Sequence, residues 1–205
     1  MTQIDSGLRS VLSLPAAYRL FTRLVGARSA RTEIVRRYLR PRAGDRVVDI
    51  GCGPGDLIDF LPGCEYLGFD ASAEYIAFAR ARHGDRGRFL TLKVGEAAAL
   101  PVGSFDLAVA YGVLHHLDDP EADLLFAEAR ALLAPGGRLV TVDGGWAEDQ
   151  GRLARFMVSR DRGQSIRTAE RLREIAARHF GAVEAHIRHD LLRLPYTHLV
   201  LECSG

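Results

Sequence analysis

Val47-Val48-Asp49-Ile50-Gly51-Cys52-Gly53-Pro54-Gly55-Asp56 joins a short β-branched run to three glycines at alternate places. The run suits a strand buried on both faces of a parallel sheet. The glycines suit a tight turn, because residues without Cβ adopt positive φ and let a ligand approach the backbone. A helix is expected directly behind the turn, presenting unpaired N–H groups to an anionic ligand end. A dinucleotide fingerprint would need a third glycine at the sixth place from Gly51, where Asp56 stands instead. A carboxylate fits poorly beside pyrophosphate, so a nicotinamide-dependent oxidoreductase is disfavoured.

Strand-like and helix-like runs alternate on the C-terminal side. Tyr66–Asp70 precedes a helical run at Ala73–Arg82, and Arg88–Val94 reads as a third strand. Phe105–Tyr111 reads as a fourth, and Ala122, Leu125, Phe126, Ala129, Leu132 and Leu133 share one helical face. Pro135-Gly136-Gly137 predicts a turn, with Arg138–Asp143 as the next strand. Thr168 predicts the cap of a helix carrying Leu172, Ile175, Ala176 and Phe180. Val183–His189 and Thr197–Cys203, separated by a short loop with Pro195, predict an antiparallel pair. On the N-terminal side, Leu8 to about Arg40 is mostly helical in spacing. The fold class expected is α/β: a doubly wound, mostly parallel seven-stranded sheet with an antiparallel C-terminal strand and helices on both faces. A single domain over 1–205 is expected, with an N-terminal helical cap (1–40), a cofactor-binding core (41–144) and acceptor-side helices with a C-terminal hairpin (145–205).

The glycine stretch resembles the D-x-G-x-G-x-G signature of class I, Rossmann-like S-adenosylmethionine-dependent methyltransferases, in the small-molecule, quinone-biosynthesis-like subgroup. Three further motifs follow in the family's order. Leu67-Gly68-Phe69-Asp70-Ala71-Ser72 ends the second strand on an acid, Gly95-Glu96-Ala97 follows the third, and Leu133-Ala134-Pro135-Gly136-Gly137 precedes the fifth. The resemblance covers about Arg46 to Asp143. It implies S-adenosyl-L-methionine as cofactor, with Asp49 near its amino group and Gly51, Cys52 and Gly53 forming the turn that receives the aminocarboxypropyl end. It implies Asp70 and Ala71 at the ribose, Glu96 and the Ala97 N–H at the adenine, and Tyr111 bordering cofactor and substrate. Glu96 stands where the family usually has Asp.

Gly112-Val113-Leu114-His115-His116-Leu117-Asp118-Asp119-Pro120 looks like the loop of small-molecule members, and the amine-gripping Asn-Pro-Pro-Tyr motif is missing from it. Imidazole titrates near neutrality, so His115 or His116 is a candidate base for removing a hydroxyl proton. An oxygen acceptor therefore fits better than nitrogen or carbon. Tyr18, Arg28, Trp146, Arg155, Arg160, Arg162 and Tyr196 lie where relatives build lids and acceptor pockets and are weaker candidates.

Composition bounds the partners. The 205 residues carry a formal net charge of +1, with 47% hydrophobic and 26% charged, so no global field draws in a polyanion. No nucleic-acid partner is expected, and a homodimer is left open. Three cysteines lack any C-x-x-C spacing, so no metal is expected and a reducing, cytoplasmic setting fits. Neither a membrane span nor a secretory signal is legible. The competing readings are methylation of protein or RNA, and a non-catalytic S-adenosylmethionine-binding module.

Overall fold

The computed structural model describes residues 25–97, 100–161 and 163–205. The helix expected upstream of Val25 and the candidates Tyr18 and Arg162 lie outside the described residues. From Val25 on, α1 (Ala27–Ile34) runs into a π-helical turn at Val35–Leu39, closed by Arg40 at φ 42°. The chain then alternates through β1 (Arg46–Ile50), β2 (Glu65–Asp70), α2 (Ala73–His83), β3 (Arg88–Thr91), β4 (Phe105–Tyr111), α3 (Asp119–Leu132) and β5 (Leu133–Gly144). It continues through α4 (Arg152–Ser159), α5 (Ala169–Ala176), β6 (Ala182–Arg188) and β7 (His198–Ser204).

The seven strands form one sheet in the order β3-β2-β1-β4-β5-β7-β6. Pairing is parallel except that β7 runs antiparallel to both β5 and β6. Alternate residues along each central strand feed different layers. Val48, Ile50, Ala108 and Ala110 face a core closed by α3 and α5, while Val47, Leu107 and Val109 face one closed by α1 and α2. This two-sided burial explains why β1 and β4 read as continuous apolar runs rather than alternating ones. The chain reverses its direction of strand addition between β1 and β4, and ligands of open α/β sheets bind outside the carboxyl ends of the strands at that switch point.

Three local expectations change. The element behind the glycine turn is a five-residue 3-10 helix, Asp56–Phe60, not an α-helix, because Pro62 cannot continue it. β3 stops at Thr91, not Val94, since it pairs only with β2, whose last residue Asp70 stands opposite Thr91. The ladder of β5 begins at Leu133 opposite Phe105 and resumes at Arg138 opposite Leu107, so Ala134–Gly137 is an irregularity inside the strand instead of a turn before it. α3 opens with a full capping box: the Asp118 carboxylate accepts from Glu121 N–H while the Glu121 carboxylate accepts from Asp118 N–H.

Candidate active site

The glycine turn and the loop after β4 meet at the switch point. Gly51, Gly53 and Gly55 have φ of 68°, 53° and 75°, the left-handed conformation that costs other residues energy. Gly51 has a second constraint: a Cβ there would lie 2.6 Å from Cγ2 of Val113, in the β4 loop. Side-chain space opens at Gly53, where nothing lies within 4 Å of a Cβ position. The turn is thus pressed against its neighbour on one side and open on the other.

Two carboxylates flank it. Asp49 is buried at the end of β1, where its Oδ2 accepts from the Tyr66 hydroxyl at 2.5 Å and its Oδ1 has no partner among the described residues. Burial raises its pKa to about 7, against the Tyr66 hydrogen bond and the Arg31 charge, which pull it down, and with a smaller push up from Asp70. An unsatisfied buried carboxylate oxygen is costly, and a cationic ligand group would satisfy it. Asp70 is half-buried at the end of β2. Its Oδ2 accepts from Gly53 N–H at 2.9 Å and its Oδ1 from Ser72 N–H at 2.8 Å, so it pins the turn while its remaining lone pairs stay available for hydroxyl donors. Ser72, not Asp70, caps α2, its hydroxyl accepting from Tyr75 N–H. Cys52 is buried, with Sγ directed to its neighbour's carbonyl, and its N–H donates to Phe69 O across the sheet. An ammonium at Asp49 and a diol at Asp70 are what this donor and acceptor set accommodates.

At the third motif the backbone is already engaged. The Ala97 N–H donates to Glu128 Oε1 at 2.9 Å, and the Glu96 carboxylate accepts from Lys93 N–H at 2.9 Å. Ala97 therefore does not offer its N–H to a ring in this conformation, because α3 supplies a competing carboxylate. Tyr111, half-buried at the end of β4, lies under the Arg31 guanidinium, 5.3 Å from the ring centroid. Burial pushes its hydroxyl pKa up.

The two histidines separate. His116 is exposed, its ring 4.1 Å from that of His115. His115 is buried, and its Nδ1 donates to Asp143 Oδ1 at 2.7 Å, as does its own N–H at 3.2 Å. Nδ1 carries the hydrogen because its partner is a carboxylate, which leaves Nε2 on the far side of the ring. Burial pulls the imidazole pKa down, but the hydrogen bond and charge of Asp143, then the charge of Asp161, outweigh it and leave the pKa above its ordinary value.

Asp143 closes β5, Asp161 follows α4, and Tyr196 precedes β7, donating from its hydroxyl to Asp161 Oδ2. Asp143, Asp161, Arg31 and Arg167 were not foreseen from the sequence. Asp143 had a legible signal in hindsight, an acid at the carboxyl end of a central strand; the others depend on packing between distant segments. Of the weaker candidates, Tyr196 reaches this cluster. Arg28 lies over the Phe60 ring, Arg155 over the Trp146 ring and Arg160 over the Phe156 ring.

Fold and site together define the class I, Rossmann-like methyltransferase architecture. Residues 48–139 match the model of a methyltransferase-domain family. The chain is 34% identical over 114 residues to a ubiquinone biosynthesis O-methyltransferase of Xanthomonas axonopodis pv. citri, the match covering 53% of this chain and 46% of that protein. It is 35% identical over 109 residues to a demethylmenaquinone methyltransferase of Thermus thermophilus, covering 50% and 48%. The chain spans less than half the length of the curated relatives it matches. The pyocyanin biosynthetic protein PhzM shares its fold, with a TM-score of 0.71 at 20% identity, over 98% of this chain and 62% of that one. No helix among the described residues is long and apolar enough to cross a membrane.

Proposed function

We propose that the protein transfers the methyl group of S-adenosylmethionine to a hydroxyl oxygen of a small-molecule acceptor, with His115 as the base. The observation that carries the choice of oxygen is the buried His115–Asp143 pair at 2.7 Å. The cofactor supplies an electrophilic methyl group. Asp49, the turn of Gly51, Cys52 and Gly53, and Asp70 bind and orient it, and the family resemblance assigns Ala71, Glu96 and Tyr111 to its surroundings. The Ala97 N–H takes no part, being held by Glu128. Asp143 fixes the tautomer of His115, so that Nε2 takes the acceptor proton, and stabilises the imidazolium that results. A positioned base of this kind contributes roughly 10²- to 10⁴-fold in rate.

The division into a cofactor core at 41–144 and an acceptor-side segment at 145–205 is supported by Asp161 and Tyr196, which come to the imidazole from the later segment. An acceptor of small-molecule size suits a base that is buried rather than displayed on a surface. The name of the ubiquinone biosynthesis O-methyltransferase relative supports a hydroxyl as the group to test first.

The test is release of S-adenosylhomocysteine from labelled S-adenosylmethionine across a panel of phenols, hydroxyquinones and hydroxy acids. His115→Gln is expected to lose roughly 10²- to 10⁴-fold in kcat with unaltered affinity for S-adenosylhomocysteine, and His116→Gln to retain turnover. Full turnover in His115→Gln would remove the base, and turnover restricted to amines would remove the oxygen acceptor.

A further inference from the structure

Gly163, Ser165 and Arg167 are sewn onto the loop that carries His115. Ser165 N–H donates to His115 O at 3.0 Å. Gly163 lies so close that a Cβ there would overlap the imidazole and the backbone carbonyl of His115. Arg167, buried, donates to Asp119 Oδ1, Leu114 O, Ser165 O and Leu117 O at 2.7–2.9 Å, gripping the chain on either side of His115. This stitching brings Asp161 Oδ1 to 3.9 Å from His115 Nε2, while Tyr196 holds the other oxygen of the same carboxylate.

Resting on the reading of His115 as base, we propose that Asp161 is a positioning residue for it: Asp143 and Asp161 bracket the imidazole, one carboxylate per ring nitrogen, and together favour the imidazolium formed when the acceptor gives up its proton. A separation of 3.9 Å is too long for a direct hydrogen bond. Asp161 therefore acts on the ring through its charge. An acceptor hydroxyl reaching Nε2 would give its one proton to that nitrogen as its oxygen bonds to the methyl carbon, while the carbon–sulfur bond of the sulfonium breaks and its electron pair stays on sulfur. The positive charge then rests on a ring facing two carboxylates.

The other groups facing the imidazole leave this picture intact. The exposed His116 ring lies tilted at 4.1 Å, and the Arg167 guanidinium is paired with Asp119, which also pairs with Arg171. His198, whose ring lies 4.8 Å from that of Tyr196, is pushed down to about 4 by burial and is neutral near pH 7. The negative charge next to Nε2 is thus that of Asp161, and its removal should lower the proton affinity of His115.

A carboxylate about 4 Å from an imidazole moves its titration by on the order of one pH unit or more. The imidazole of His115 is titrated by NMR with S-adenosylhomocysteine present, a readout that needs no acceptor. Asp161→Asn is expected to lower the midpoint by about one unit and Tyr196→Phe to lower it by less, the carboxylate remaining but untied. A midpoint unchanged or raised in Asp161→Asn overturns the proposal. Should Asp161→Asn fail to fold, Asp161→Glu decides: its longer carboxylate should leave the midpoint within a few tenths of a unit of wild type, and a fall as large as one unit refutes the assignment. If Asp161→Asn shifts the midpoint while His115→Gln keeps full turnover, the base reading fails and the electrostatic role stands. If turnover depends on His115 and no shift occurs, Asp161 alone is refuted.

Discussion

Replacing Asp70 with alanine removes two kinds of interaction at once, and the structure separates them. The carboxylate accepts from Gly53 N–H at 2.9 Å and from Ser72 N–H at 2.8 Å, so it shapes the glycine turn before any ligand arrives. Hydrogen bonds to a charged group contribute about 1.5–3 kcal/mol each, but Asp70 is half-buried and water partly replaces it at both N–H groups. About 1 kcal/mol for each bond is a reasonable share, or roughly 2 kcal/mol of stability, which lowers Tm by about 4–8 °C in a chain of this size. The ribose hydroxyls would lose their acceptor as well, and binding of S-adenosylhomocysteine should weaken by roughly 2–4 kcal/mol, tens to several hundredfold. Asp70→Asn should fall between, because the amide keeps one acceptor oxygen and sets an NH2 against a backbone N–H. Calorimetric titration with S-adenosylhomocysteine, alongside thermal melts of the free proteins, measures both quantities. Affinity of Asp70→Ala within threefold of wild type, in a protein that has kept its fold, would refute the placement of the ribose.

Two further outcomes follow from the same geometry. Asp49 is buried with a pKa near 7 against an ordinary 3.8, so between about pH 4 and 7 the folded state holds a proton that the unfolded state has released, and stability should fall as pH rises through that window. Asp49→Asn should flatten this dependence and weaken S-adenosylhomocysteine, and wild-type binding near pH 6.5 should release protons, which titrations in buffers of different ionisation enthalpy detect; identical stability curves for the two proteins would contradict it. Arg167→Met leaves the carbonyls of Leu114 and Leu117 without their donor and should cost about 2–4 kcal/mol in denaturant unfolding, with faster proteolysis around 160–168; a change below about 0.5 kcal/mol would show that the strap is held by other contacts.

The sequence by itself determined the sheet and the cofactor-facing turn, because both are local. β-branched runs buried on two faces, glycines at alternate places and acids at strand ends are patterns of period and composition, and they put β1, β2, β4, the hairpin strands, Asp49 and Asp70 where the chain has them. Tertiary structure decided what those residues do when they meet. The short Asp56–Phe60 turn was foreseeable from Pro62, but the length of β3 depended on the end of β2, and the loss of the Ala97 N–H depended on Glu128 arriving from α3. The choice between His115 and His116 lay outside the sequence altogether. Adjacent and chemically identical, they differ because one turns inward onto Asp143, 28 residues away, and beneath a strap fixed by Arg167, while the other faces solvent. Proton affinity is set by burial and by charges within a few ångströms, and distances of that kind exist only once segments remote in sequence have packed together.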